Sequence, residues 1–506
     1  MLAWEAQHPE RLALQLDDGQ FFGFQNASRG ALQKHTTFVF IPAVREAAAD
    51  AADGKTSVIG RLLELLVRSS ILQRRDIQQF KTEMTARYQA LVTAENMPEL
   101  GMLASRITND LKGLYQEAAV DLTWREIADF PVPLPVADVA LSDDGFGGPV
   151  DRQGHGLQRA FIFTLLQHLA RTSTAVPQDA VGEVDAPTVA VAQAPSLILA
   201  IEEPELYQHP TKQRHFAEVL RGLSSGALPG VEGPTQIVFA SHSPMFVSLG
   251  KADEIRLVRR TTCPGSEFKQ CALKALDLNL VVQKLERGWG KADGAFSTAS
   301  LIPKLHILGS ELSEGFFANG VVLVEGRSDR AALSATARLL GVSFEAAGIA
   351  ILSAEGKDNL DRPLVVFQEL GIPTFVIWDC DTGKRGAKPP TNLALLRLCR
   401  PDDNVTLPPE ATVVSFCYAH FAVTLDDLIK DELTEKVHSD CLAAACEPFG
   451  ISPNGDTQKI PEIMYQTLRQ ARTHGASSPT LIAVVKAIWL HIRGEEIPDP
   501  AVPDAG

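Results

Sequence analysis

The stretch VVLVEGRSDR at residues 321–330, followed by GIAILSAEG at 348–356 and PTFVIWDCD at 373–381, decides the fold of the C-terminal half. Each is a continuous apolar run, the pattern of a parallel strand covered on both faces, and helical stretches at 329–340 and 357–370 separate them at βαβ spacing. The reading is a parallel-sheet α/β unit. Its chemistry lies at one edge. Glu325 ends the first strand, Gly326 turns the chain, and Asp329 opens the next helix. The third strand ends in Asp379 and Asp381, which alternation along an extended chain puts on one face, with Cys380 turned away. Four carboxylates at one sheet edge raise one another's pKa and cannot all stay ionised without cations. Mg²⁺ or Mn²⁺, which take oxygen ligands, meet that need. Taken singly, LVEG reads as a strand and turn and DCD as a surface turn; their order and spacing together point to the site.

Working outward, ATVVSFC at 411–417 reads as a further strand, and the rest of 401–506 as a mostly helical extension that ends in a disordered tail, EEIPDPAVPDAG. The core of the α/β unit spans 316–400, and 263–315 reads as a helical linker. Upstream, residues 1–262 form a second α/β domain. Short apolar runs (LALQL, FFGF, TTFVFIPAV) read as strands, and a helical insertion covers about 57–128, where apolar residues recur three and four apart. Residues 172–194 are a low-complexity loop. Two more apolar strands, SLILAI at 196–201 and QIVFA at 236–240, also read as parallel strands covered on both faces.

The first of these strands runs into Glu202, Glu203 and Pro204. Adjacent carboxylates at the end of a buried strand must be solvated, paired or metal-bound. They either face a ligand crevice, holding Mg²⁺ and polarising a water, or cap the next helix. The second strand ends in ASHSP, which places His242 at the same sheet edge, where a neutral imidazole could sense a γ-phosphate. In QGHGLQRAFIF at 153–163, Gly154 and Gly156 introduce a helix carrying Gln158 and Arg159, and backbone N–H groups at such a helix start suit an anion.

The 506 residues allow about three domains. Lys and Arg number 47 against 62 Asp and Glu, a net charge of −15, which argues against coating nucleic acid by bulk charge. No apolar run is long enough to span a membrane, and the first ten residues lack a signal-peptide pattern. The 7 cysteines show neither paired zinc spacing nor disulfide density. A reducing cytoplasm fits.

The glycine-led helix, the strand with EEPE and the strand with SHSP, in that order, resemble the signature, Walker B, D-loop and switch-histidine elements of ABC-type ATPases, with the likeness strongest to the DNA-repair and OLD (overcoming lysogenization defect) branch. Glu-Gly followed by Asp, and then DxD, resembles the Toprim domain of topoisomerases, primases and OLD nucleases; Gly356 and Lys357 also look like the OLD version. The two in one chain are the arrangement of OLD-family nucleases. The resemblance covers roughly residues 36–500. It implies DNA cleavage by a two-metal Toprim site, with Glu325, Asp379 and Asp381 on one Mg²⁺ or Mn²⁺ ion, Asp329 on the second, and Asp426 assisting, although Asp427 stands beside it. It also implies a basic residue from the C-terminal helices that neutralises transition-state charge; Lys486 holds that place, and a snorkelling lysine on an amphipathic helix would look the same. Lys384, Arg385 and Lys388 either contact the strand or form a solvated loop.

The resemblance further implies a homodimer through the ATPase half, with ATP at a composite site to which one subunit brings Gly154, Gly156 and Gln158. The insertion serves as a dimerising arm or as a lid within one subunit. The P-loop is not found. Gly54-Lys55-Thr56 is preceded by Ala49, Asp50 and Asp53 rather than by the glycine-led cradle a triphosphate needs. The expectation is truncation or a late start site, with weak or no ATP hydrolysis by this chain. Two functions therefore stand: a metal-dependent DNA nuclease of phage defence or DNA processing, in some systems paired with a helicase, and a nucleotide-regulated DNA-binding ATPase whose Toprim unit does not cleave. Topoisomerase or primase activity would need a nucleophilic-tyrosine domain or a zinc module, and neither is evident.

Overall fold

The structure is a computed structural model describing residues 36–43, 58–71, 74–92, 97–115, 117–122, 132–133, 135, 137–172, 196–227, 235–262, 268–306 and 310–497. The strands expected before residue 36, the Gly54-Lys55-Thr56 stretch, the loop after residue 172 and the final residues lie outside the described residues. The chain divides into two compact units, Met1–Ser241 and His242–Gly506.

In the first unit, β1 (Thr36–Ile41), β4 (Ser196–Glu202) and β5 (Thr235–Ala240) form a parallel sheet in the order β1-β4-β5. Leu197, Leu199 and Ile201 are buried, as are Val39 and Ile41. Phe38, Phe40 and Val238 are exposed. The expectation of cover on both faces is thus corrected: the strands keep the apolar composition of buried strands, but one face carries the core. Helices α1 (Val58–Ile71), α2 (Arg75–Leu91) and α3 (Pro98–Lys112) precede a hairpin, β2 (Ala140–Asp143) and β3 (Phe146–Pro149). Helix α1 lies against α4 (His155–Thr172). Helix α5 (Pro210–Ser225) packs on α4 through stacked Phe163 and Phe216, ring centroids 4.5 Å apart.

The second unit opens with an antiparallel hairpin, β6 (Arg256–Thr262) and β7 (Lys269–Ala275), followed by α6 (Leu278–Gly288) and α7 (Thr298–His306). The stretch expected as a wholly helical linker therefore contains a strand. Its side chains are almost all exposed, so backbone pairing with β6 defines the element, and no apolar stripe marks it in the sequence.

The central sheet has the order β11-β12-β10-β8-β9. Its strands are β8 (Gly320–Val324), β9 (Ile349–Ser353), β10 (Thr374–Asp379), β11 (Val413–Val414) and β12 (Tyr418–Phe421). Four are parallel and β11 joins antiparallel at the edge. Every residue of β8 is buried, because apolar layers cover both faces. One layer is built from α6, α7, α9 (Asp361–Glu369) and α10 (Pro389–Cys399). The other is built from α8 (Arg327–Leu339), α11 (Leu425–Leu433), α12 (Glu435–Cys446), α13 (Pro461–Thr473) and α14 (Pro479–Arg493). The strand expected at 411–417 is reduced to the two residues of β11. Tyr418–Phe421 pairs with β10 instead, because Ala419 and Phe421 fill the core while Phe416 is exposed.

Candidate active site

The carboxyl ends of β8 and β10 lie side by side, and their register brings the acids together. Glu325 immediately follows β8, and its Oε1 accepts the backbone N–H of Asp379 at 2.7 Å. Asp379, the last residue of β10, turns Oδ1 to the backbone N–H of Leu425 at 3.0 Å. Asp329, in the first turn of α8, accepts the N–H of Gly326 at 2.9 Å and is 7% exposed. Burial pushes the Asp379 carboxyl up to about 9, and the negative charges of Asp329 and Glu325 add to it. Burial likewise raises Asp329 to about 7, with Glu325 and Asp426 contributing, and it raises Glu325 against the pull of the Asp379 N–H and Lys357.

Asp381 reaches this edge by a route other than strand alternation. The strand stops at Asp379, and Asp381 adopts a left-handed backbone with φ 54°, its N–H on the Val423 carbonyl at 3.0 Å. Cys380 is buried against the His420 ring, Sγ to Nδ1 3.8 Å. A positive φ is uncommon for a residue with a side chain, and Asp is among those that tolerate it best. The expected extended geometry is therefore replaced by a turn.

A cation from the chain itself sits among these acids. Glu355 and Gly356 have φ of 54° and 129°, a reversal that directs Lys357 inward. Its Nζ donates to Asp381 Oδ2 at 2.6 Å and to the Asp379 carbonyl, and the residue is 6% exposed. Of the two adjacent acids in α11, Asp427 accepts from Thr424 at the helix start and from Lys384 at 2.7 Å. Asp426 is partly buried, and its charge bears on Asp329. With its amide nitrogen turned to Asp426, buried Gln458 donates to both carboxylate oxygens, at 3.1 and 3.3 Å. Lys388 pairs with Asp358, and Lys384 with Asp427. Lys486 stands exposed on α14, and among the described residues no hydrogen bond or ion pair joins it to the acids.

The donor set consists of carboxylate oxygens, the chemistry of Mg²⁺ and Mn²⁺ sites. Its buried acids lack enough positive charge to stay ionised, which a divalent cation would supply. The donor chemistry fits. Among the described residues, however, no three acidic, histidine or cysteine side chains already converge as a ligand set. Backbone N–H groups engage one oxygen each of Glu325, Asp329 and Asp379, and Lys357 engages Asp381, so an ion entering here meets Lys357 as its competitor.

In the first unit, β4 ends at Glu202, whose Oε2 accepts the Ala43 N–H at 3.1 Å. Glu203 turns left-handed with φ 44°. Arg159, 1% exposed, donates to the carbonyls of both, at 3.3 and 3.2 Å, and so ties the start of α4 to the acidic turn. Gly154 opens onto free space, whereas a Cβ on Gly156 would meet the Tyr207 carbonyl at 3.2 Å. Gln158 is buried and donates to the Gln153 carbonyl at 2.8 Å. His242 follows just beyond β5 and is exposed. Buried Glu205, which accepts from Ser241 at 2.9 Å, was not singled out in the sequence, nor were Gln458 and the part taken by Lys357. An acid two residues after Glu203 was the one signal for Glu205.

Residues 316–381 match the family described as overcoming lysogenization defect protein-like, TOPRIM domain, and residues 13–247 match the AAA ATPase domain. These matches, with curated OLD nucleases among the relatives, support an OLD-family protein. Its architecture is an AAA-type ATPase domain followed by a Toprim domain, modules that imply nucleotide and divalent-metal use. Among OLD relatives, "OLD nuclease" of Thermus scotoductus (strain ATCC 700910 / SA-01) is 25% identical over 357 residues, 69% of this chain and 58% of the relative. "Old nuclease" of Escherichia phage P2 is 24% identical over 357 residues, 68% of this chain and 53% of the relative. This chain thus spans little more than half the length of either. The C-terminal region of the Xanthomonas campestris pv. campestris OLD protein is 19% identical, covering 36% of this chain and 95% of that one, at a TM-score of 0.24. Among the described residues, no helix is long and apolar enough to cross a membrane.

Proposed function

We propose that this OLD-family chain is a divalent-metal-dependent DNA endonuclease that hydrolyses phosphodiester bonds at the Toprim edge, with its AAA-type domain making that activity responsive to nucleotide. Its setting would be cytoplasmic, in phage defence or DNA processing. The observation that carries this reading is that Glu325 and Asp379 stand at the ends of adjacent strands β8 and β10, with Asp329 and Asp381 in the turns that follow them, within the stretch that matches the OLD-like Toprim family.

Glu325, Asp379 and Asp381 would hold one ion, and Asp329, with Asp426, a second; ions so held supply an activated water and offset charge on the leaving oxygen. The chain's own part is placement. The N–H groups of Asp379, Leu425 and Gly326 fix three of the carboxyls, and Gln458, with its amide nitrogen turned to Asp426, would hold that one. Lys486 is assigned the neutralisation of transition-state charge by its place in the sequence. Glu202 and Glu203 would serve Mg²⁺ and the attacking water of ATP, and His242 its γ-phosphate. Gly154, Gly156 and Gln158 would face the nucleotide of a second copy in a homodimer.

The test is nicking of supercoiled plasmid with Mg²⁺ or Mn²⁺, with and without ATP. Asp379→Ala and Asp381→Ala abolish it on this reading. Cleavage that survives both changes overturns it and puts the activity in a contaminant or at another site; no cleavage by the natural chain overturns it in favour of the non-cleaving, nucleotide-regulated reading.

A further inference from the structure

Resting on that reading of the Toprim edge, we propose that Lys357 is a built-in countercation, and that a divalent ion loads by displacing its ammonium group from Asp381. The first support is position. The Lys357 Nζ lies between the Asp379 main-chain carbonyl and the Asp381 carboxylate, and the latter is an oxygen the metal would use. The second is burial. The Lys357 side chain is 5% exposed and that of Asp381 24%, so the pair is sheltered on the ammonium side and open on the carboxylate side. A buried ammonium is costly unless paired, and removing one partner of a buried pair leaves an uncompensated charge. The third is backbone. Two consecutive positive φ values, at Glu355 and Gly356, turn Lys357 inward, and Asp381 itself takes a left-handed φ to receive it.

One ammonium cannot neutralise four carboxyls. Glu325, Asp329, Asp379 and Asp381 carry four formal charges when ionised, and Lys357 returns one, so a divalent ion is a better countercharge for the same oxygens. Its entry makes the ammonium redundant and repelled. Lys357 is thereby a positioning residue. It keeps Asp379 and Asp381 together when no metal is bound, and it lowers the affinity of the first ion by competing for Asp381.

The test is calorimetric titration of the full chain with Mn²⁺, comparing the natural protein with Lys357→Met, beside metal-free melting curves. The variant should bind Mn²⁺ at least tenfold more tightly and melt lower without metal, with Mn²⁺ restoring the melting temperature. Mn²⁺ binding by the natural chain that is no tighter in the variant overturns the exchange proposal and leaves the metal site standing. Binding by neither protein overturns both. A second measurement needs only the natural chain: acetylation of Lys357 by an amine-reactive ester, read by mass spectrometry. The amine should be protected without metal and labelled when Mg²⁺ is present; equal protection in both conditions overturns the proposal even if Lys357→Met fails to fold.

Discussion

The Glu325 carboxylate accepts the backbone N–H of Asp379 at 2.7 Å, so an acid at the end of one strand fixes the end of its neighbour. The same side chain is thus a structural acceptor and a candidate metal ligand, and two substitutions separate these roles. Glu325→Gln keeps an acceptor for the N–H and should melt close to the natural protein. Glu325→Ala leaves that buried N–H unsatisfied and should lose about 1–3 kcal/mol in urea unfolding. Both should lose cleavage by about 100-fold or more, as expected when a charge-bearing group of an active site is removed. Full cleavage by Glu325→Gln would remove this residue from the metal set.

Asp329 invites a similar separation. Asparagine at this position still offers an oxygen to the Gly326 N–H, which the carboxylate accepts at 2.9 Å, so the start of α8 keeps its cap. It also removes a buried acid. Asp329→Asn should leave the metal-free melting temperature unchanged or raised, while the rise produced by Mn²⁺ shrinks. A lower metal-free melting temperature with an undiminished Mn²⁺ effect would make Asp329 a helix cap alone.

In the first unit, Arg159 binds the carbonyls of Glu202 and Glu203 from the start of α4. Arg159→Ala removes two donors and a buried stem, and should destabilise that unit by about 2 kcal/mol or more. Limited proteolysis should then cut between residues 155 and 225 sooner than in the natural chain, with the second unit unaffected.

His491 gives the second unit a pH signature away from the acids. Half-buried beside Phe375 and Phe416, it has its pKa held below the usual 6.5 by desolvation, against a hydrogen bond to Thr374. Below pH 6.5 the unfolded chain gains a proton that the folded one resists, so this contribution to stability is present above 6.5 and lost as pH falls through the folded value. His491→Phe lacks the effect. Its melting temperature should gain on that of the natural protein between pH 7.5 and 5.5; a constant difference would contradict the assignment.

What the sequence disclosed follows from which signals are local. Val321–Val324 and Phe375–Trp378 announce themselves as strands because burial on both faces demands unbroken apolar runs, and the acids that end them are read with them. The left-handed turn at Asp381 leaves no such trace, so alternation misplaced it. Lys357 and Asp381 meet only because Glu355 and Gly356 reverse the chain, a conformation that sequence spacing does not reveal. Asp426 and Asp427 are equivalent in the sequence. Thr424 and Lys384 engage Asp427, and Gln458, from a distant turn, turns toward Asp426. Strand β7 lacks an apolar stripe, and β12 begins where the apolar run before it ends.

The most direct measurement is the anomalous diffraction of Mn²⁺ in crystals of the full chain. The account predicts one peak bounded by Glu325, Asp379 and Asp381, with the Lys357 ammonium moved off Asp381, and a second peak beside Asp329. Crystals saturated with Mn²⁺ that show no peak at this edge, and Lys357 still paired with Asp381, would contradict it.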